Sequence, residues 1–129
     1  MSVVKLVPSP NQTLAPNVTW VITSGVLQRS LDSGQSWQNA LHADHPLLCY
    51  ASHVPDVWSG GQAGTLFHSV DNGITWLQVQ PSSKGQVLSS DVTRIDFREV
   101  VGGPAQIIVS TNNNEVWSSA DGGKTWQKK

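Results

Sequence analysis

Three aspartates of the 129-residue chain, Asp32, Asp71 and Asp121, share one chemical setting. A serine stands two positions before each, a glycine two positions after, then a hydroxyl residue and a tryptophan. A carboxylate so placed can act as an acid or base, hold a cation, or accept hydrogen bonds from the backbone of its own turn. The glycine supplies a backbone shape that other residues resist, and the serine and threonine hydroxyls can tie neighbouring strand ends. The pattern therefore predicts hairpin clamps rather than acids, bases or metal ligands. The clamp residues are Ser30, Asp32, Gly34 and Trp37, then Ser69, Asp71, Gly73 and Trp76, then Ser119, Asp121, Gly123 and Trp126. The indoles are expected to pack as core.

Little else has the spacing of a reactive site. His42, Asp44 and His45, with His53 further on, are the nearest approach to a metal constellation, but they fall where a polar surface connection is expected. Cys49 is the single cysteine, so an internal disulfide is impossible, and its apolar run Leu47-Leu48-Cys49-Tyr50-Ala51 reads as packing. No glycine-rich phosphate loop precedes a helix, and no amphipathic helix is visible. No cofactor is expected, and no enzyme activity.

The elements that must position the boxes come from the repeat itself, S-x-D-x-G-x-[ST]-W. Five residues before each box serine lies a residue able to adopt positive φ: Gly25, Gly64 and Asn114. Between that turn and the box runs a strand, at 26–30, 65–69 and 115–119, with Leu27, Leu66 and Val116 equivalent. Before the turn runs another, at 19–23, 57–59 and 106–110, and a further strand is predicted at 47–54 and 92–101. The box aspartates are 39 and 50 residues apart, which brackets the roughly 40–45 residues of a four-stranded propeller blade. The polar insert from Pro81 to Gln86 accounts for the longer gap and is expected to be a surface loop.

The fold prediction is all-β: three four-stranded antiparallel blades of a partial β-propeller at about 17–41, 46–80 and 91–129. Residues 1–16 are read as an N-terminal strand, Val3 to Val7, and a proline-rich linker. The first blade otherwise lacks its opening strand, so this segment is expected to supply it, within the chain or by exchange with a partner. Eight Lys and Arg against nine Asp and Glu leave a net charge of -1, which gives no argument for nucleic acid or an anionic membrane. No stretch has a transmembrane or leader length, which leaves open a cytoplasmic protein or a piece of a longer, exported one.

The box resembles the Asp-box, or bacterial neuraminidase repeat, of sialidases, sortilin-type receptors and many bacterial propellers. The run from Val57 to Trp76 is most similar to photosystem II stability/assembly factor type propellers, and the resemblance covers about 17–129. Families with this repeat include enzymes, receptors and assembly factors. Sialidase chemistry would imply three convergent arginines and a tyrosine nucleophile, whereas this chain has only Arg29, Arg94, Arg98 and Tyr50. The expected function is a non-catalytic protein-interaction or assembly module. The alternative, which the resemblance alone implies, is a glycan-binding or glycosidase-related, sialidase-like propeller fragment. Three blades leave two faces uncovered, so the expected partner is another protein or a second copy closing a ring as a homodimer.

Overall fold

The structure is a computed structural model that describes residues 18–129. The fold is built from hairpins; the middle-blade strand at 56–61 is buried without a break from Val57 to Gly61, as in a sheet covered on both faces, whereas the equivalent strand at 106–111 alternates buried and partly open residues. The first sheet holds β1 (Thr19–Thr23), β2 (Val26–Ser30) and β3 (Gln38–Leu41), in that order. The second holds β4 (Leu47–His53), β5 (Asp56–Gly61), β6 (Leu66–Ser69) and β7 (Leu77–Gln78). A small hairpin follows, β8 (Ser82–Ser83) with β9 (Gln86–Val87). The last sheet holds β10 (Val92–Arg98), β11 (Gln106–Thr111), β12 (Val116–Ser119) and β13 (Gln127–Lys128). All pairings are antiparallel, so each sheet is a meander and the three are successive blades of a partial propeller.

Two expectations change. The first blade has three strands among the described residues, and the segment expected to open it, Val3 to Val7, lies outside them. The insert is not a plain loop: Pro81 and Leu88 are fully buried and the Leu88 N–H donates to the Pro81 carbonyl at 2.9 Å. One apolar residue at the end of a polar stretch is enough to fold that stretch back onto the blades.

Two cores separate the three blades. Trp20, Leu27, Leu41, Leu47 and Val57 fill the space between the first and second, with Phe67 packed against them. Trp58, Leu66, Val92, Ile95, Ile107, Val109, Trp117 and Trp126 fill that between the second and third, joined by Leu88. The outer faces differ in chemistry. By register, Thr19, Val21 and Gln28 of the first blade stand where the second has Val57, Ser59 and Phe67 and the third has Ile107, Val109 and Trp117. At the far end Ile108 stands where the inner faces have Trp20 and Trp58, accompanied by Arg94, Asp96, Arg98 and Ser118.

Candidate functional site

Each box closes on itself through the same bonds. In the first, the Ser30 hydroxyl donates to Asp32 Oδ1 at 2.7 Å and accepts the Gly34 N–H at 2.8 Å. Asp32 accepts the Ser36 N–H at 2.8 Å and its hydroxyl at 2.6 Å. Ser69, Asp71, Gly73 and Thr75 repeat this at 2.7, 2.8, 2.8 and 2.6 Å. Ser119, Asp121, Gly123 and Thr125 do so at 2.8, 2.9, 2.9 and 2.5 Å. The hydroxyl donated by Ser36 holds the Asp32 carboxyl down at about 2, and that of Thr75 does the same for Asp71. The Thr125 hydroxyl depresses Asp121 likewise. Carboxyls so low are ionised at any ordinary pH and hold no proton to give.

The box glycines explain how blades register. A side chain on Gly73 would collide with the Trp20 indole, and one on Gly123 would reach within 2.6 Å of the Trp58 indole. The indole of one blade therefore lies over the box turn of the next and meets its tryptophan edge-on: Trp20 with Trp76 at 6.5 Å, Trp58 with Trp126 at 5.9 Å. Arg29 adds a bond across the first interface, donating to the Asn72 carbonyl at 3.1 Å. Gly34 meets only its own Trp37, at 3.6 Å, and Trp37 is 38% exposed. The expectation of three core indoles is corrected: Trp126 is buried, Trp76 is half-buried and Trp37 is exposed, because no indole from a preceding blade lies over the first box among the described residues.

The other predicted chemistry is dispersed. His42, Asp44 and His45 are exposed in the connection between β3 and β4. No group of three or more His, Cys, Asp or Glu able to hold a metal exists among the described residues. Arg29 belongs to the first blade, while Arg94 pairs with Asp96 at 2.8 Å on the third. The Tyr50 hydroxyl donates to the Trp20 carbonyl at 3.3 Å. Cys49 is partly buried with its sulfur 3.6 Å from the Val92 carbonyl, and burial pushes its thiol up to about 11.

Sequence reasoning missed a cleft. About 330 Å³ of space opens between the second and third blades, walled by His53, Asp56, Trp58, His68, Phe97 and Pro104. The His68 ring stacks on Trp58 at 4.0 Å and bonds Asp56 at 3.2 Å, so its plane is fixed. His53 lies 5.1 Å from the Phe97 ring and 2.9 Å from Glu99 Oε1, and that bond raises its pKa. Beside the cleft, the β4–β5 turn exposes Val54 and the β10–β11 connection exposes Val100 and Val101. The signal was present as Glu99-Val100-Val101-Gly102-Gly103-Pro104, two adjacent branched apolar residues in an otherwise polar, glycine-rich connection.

No protein-family model and no curated protein matches the sequence. Solved structures do. One described as YCF48 bound to D1 peptide is similar at a TM-score of 0.67 and 23% identity over 86% of this chain. YCF48 from Cyanidioschyzon merolae is similar at 0.67 and 21% over 88%. This chain spans about a third of each of those, 35% and 33%. At such identities the likeness is one of fold, and it places these three sheets as a stretch of β-propeller.

Proposed function

We propose that the chain is a non-catalytic protein-interaction or assembly module, and that its docking surface is the end of the second and third blades around the His53–Phe97 cleft. The observation that carries this reading is the cleft itself. Two blades build it, its aromatic floor is held by stacking and hydrogen bonds, the exposed Val54 lines it, and the exposed Val100 and Val101 lie in the connection between Phe97 and Pro104, which line it too. An apolar notch with fixed polar groups suits a side chain of an extended peptide, with the valines covering its flanks. One structural neighbour, YCF48, is bound to a D1 peptide, which supports peptide binding as the first activity to test.

The boxes are structural in this proposal. Every Asp-box carboxylate is engaged by its own hairpin, so none of the three is free to act as an acid or base. A sialidase-like or glycan-binding role is the weaker reading. Arg29 and the pair Arg94 and Arg98 lie on different blades, and Trp20, Trp117 and Trp126 are buried in the blade interfaces. Homodimerisation by ring closure, expected from blade number, is also weaker, since it would bury Arg94, Asp96 and Arg98 of the last blade.

Fluorescence anisotropy with the D1 peptide of the neighbouring structure, followed by a displayed peptide library, tests the proposal. Val54→Glu and Val101→Glu change exposed residues of the two connections that border the cleft and should weaken peptide binding at least tenfold without altering the fold. The proposal fails if no peptide is retained, if both variants bind as wild type does, or if the protein turns over a sialoside.

A further inference from the structure

The polar side chains of the cleft between the second and third blades are of one chemical kind, and that restricts what can enter. His53, Asp56 and His68 line it, and among the described residues no lysine or arginine does. Each imidazole is committed through Nε2, which in His68 lies 3.2 Å from Asp56 Oδ1 and in His53 lies 2.9 Å from Glu99 Oε1. A carboxylate can only accept, so Nε2 holds the hydrogen in both rings, and a neutral ring then has only an acceptor left at Nδ1. These side chains therefore spend their donors on their own carboxylates and present acceptors to a guest. The carboxylates come one from each blade, Asp56 opening β5 and Glu99 following β10. Both are within reach of solvent, with side chains 40% and 77% exposed, and an oxygen that has accepted one hydrogen bond can accept another.

We propose that the residue this cleft admits is an arginine on an extended segment of a partner protein, its guanidinium paired with Asp56 or Glu99 and laid against the aromatic rings. The proposal rests on the docking reading above and adds the chemistry of the guest. The rings favour the same choice as the carboxylates. His68 lies flat on Trp58 at 4.0 Å and 11°, and His53 lies beside Phe97 at 5.1 Å, so flat faces stand next to negative charge. A planar cation stacks on such faces, while Phe97, Pro104 and Ile107 offer apolar surface to its methylene stem. The other guests fit less well. A glutamate would bring a third acceptor group among carboxylates and find no side-chain donor. A leucine would cover acceptors without satisfying them. A lysine has three donors on a compact, strongly hydrated charge, against five in a flat fork for arginine.

Fluorescence anisotropy on the full chain tests this with short labelled peptides that differ only at a central residue: arginine, citrulline, lysine, leucine or glutamate. Citrulline keeps the shape of arginine without its charge. The arginine peptide should bind about tenfold tighter than the citrulline peptide, and tighter than the other three. Asp56→Asn and Glu99→Gln each remove one charge at nearly constant shape, and should each lower the ratio of arginine to citrulline affinity about threefold. A merely structural effect of either variant would weaken both peptides together and leave that ratio alone. The inference is overturned if citrulline, leucine or glutamate binds as tightly as arginine, or if neither variant lowers the ratio. Should the D1 peptide still bind in that case, the docking reading stands and only the choice of guest fails. Loss of every peptide, D1 included, is the failure of the docking surface itself and takes this inference with it. The valine variants report on the flanks of the bound segment, and the carboxylate variants on its guest.

Discussion

Substituting the box glycines one at a time isolates the contribution of indole packing between blades. Gly34, Gly73 and Gly123 occupy the same box position with φ of 92°, 88° and 97°, so alanine meets the same backbone obstacle at each. That obstacle costs about 1–2 kcal/mol, the penalty of a left-handed conformation for a residue with a Cβ. At Gly34 the new methyl touches only Trp37, at an ordinary 3.6 Å. At Gly73 it collides with Trp20, itself 8% exposed and wedged against Trp76. Overpacking of that kind costs about 1–3 kcal/mol more. Gly34→Ala should therefore lose about 1–2 kcal/mol and Gly73→Ala about 2–5 kcal/mol in all.

Urea unfolding followed by tryptophan fluorescence measures both losses as shifts in midpoint at constant slope. For a domain of this size the difference corresponds to roughly 3–15 °C in melting temperature. A second substitution checks the cause. Trp20→Phe shortens the colliding ring, so Gly73→Ala made in that background should cost no more than Gly34→Ala does, a coupling of about 1–3 kcal/mol. Equal losses at Gly34 and Gly73, or additive effects of Trp20→Phe and Gly73→Ala, would refute the idea that the indole of one blade seats on the box of the next.

Trp126→Ala should lose about 3–5 kcal/mol and Trp37→Ala under about 1 kcal/mol, because the first indole is buried at 7% exposure and the second is open; calorimetric melting of the two variants decides it. The box carboxyls of Asp32 and Asp71 are depressed to about 2 from an ordinary 3.8, so the stability they add is complete above pH 3.8 and is lost as pH falls through about 2. Urea midpoints between pH 5 and pH 2 should fall, and Asp71→Asn should fall less steeply. A Cys49 thiol raised to about 11 should react with a disulfide reagent at pH 8 far more slowly than a free cysteine, at a rate that urea restores by unfolding.

What could be read in the sequence is what the chain determines locally. The box hydrogen bonds span four residues at most, from Ser30 to Gly34 or Asp32 to Ser36, so the same letters give the same hairpin wherever they occur. The strands beside them were legible for the same reason, β1 and β2 at their expected limits of Thr19–Thr23 and Val26–Ser30. The fate of the three indoles was not legible, because Trp37, Trp76 and Trp126 are equivalent as letters and differ only in whether a preceding blade brings an indole over them. Nor was the buried end of the insert, where a single Leu88 sets the path of the residues before it. The cleft escaped notice because its walls come from β4, β5, β6 and the chain around β10, positions that no spacing rule connects.

Repetition of the boxes and divergence of the faces answer to different pressures. A box is stabilised within its own hairpin and needs the same residues in every blade. A blade face is stabilised by its neighbour, and its residues follow whatever lies opposite. Phe67 and Trp117 sit on faces that meet a preceding blade, whereas their equivalent Gln28 bonds Asn39 on its own sheet at 2.9 Å. At the far end, Ile108 replaces the indole of Trp20 and Trp58, and Arg94 and Asp96 satisfy each other. Joining these two ends through a second copy would set Gln28 and Thr19 of one chain against Arg94, Asp96 and Arg98 of the other. It would remove charges from water without supplying new partners. In repeat arrays, terminal units with a polar outer face are the ones that stop growth. The end faces of the three described blades carry polar and charged groups at positions where the inner faces carry indoles and other apolar side chains.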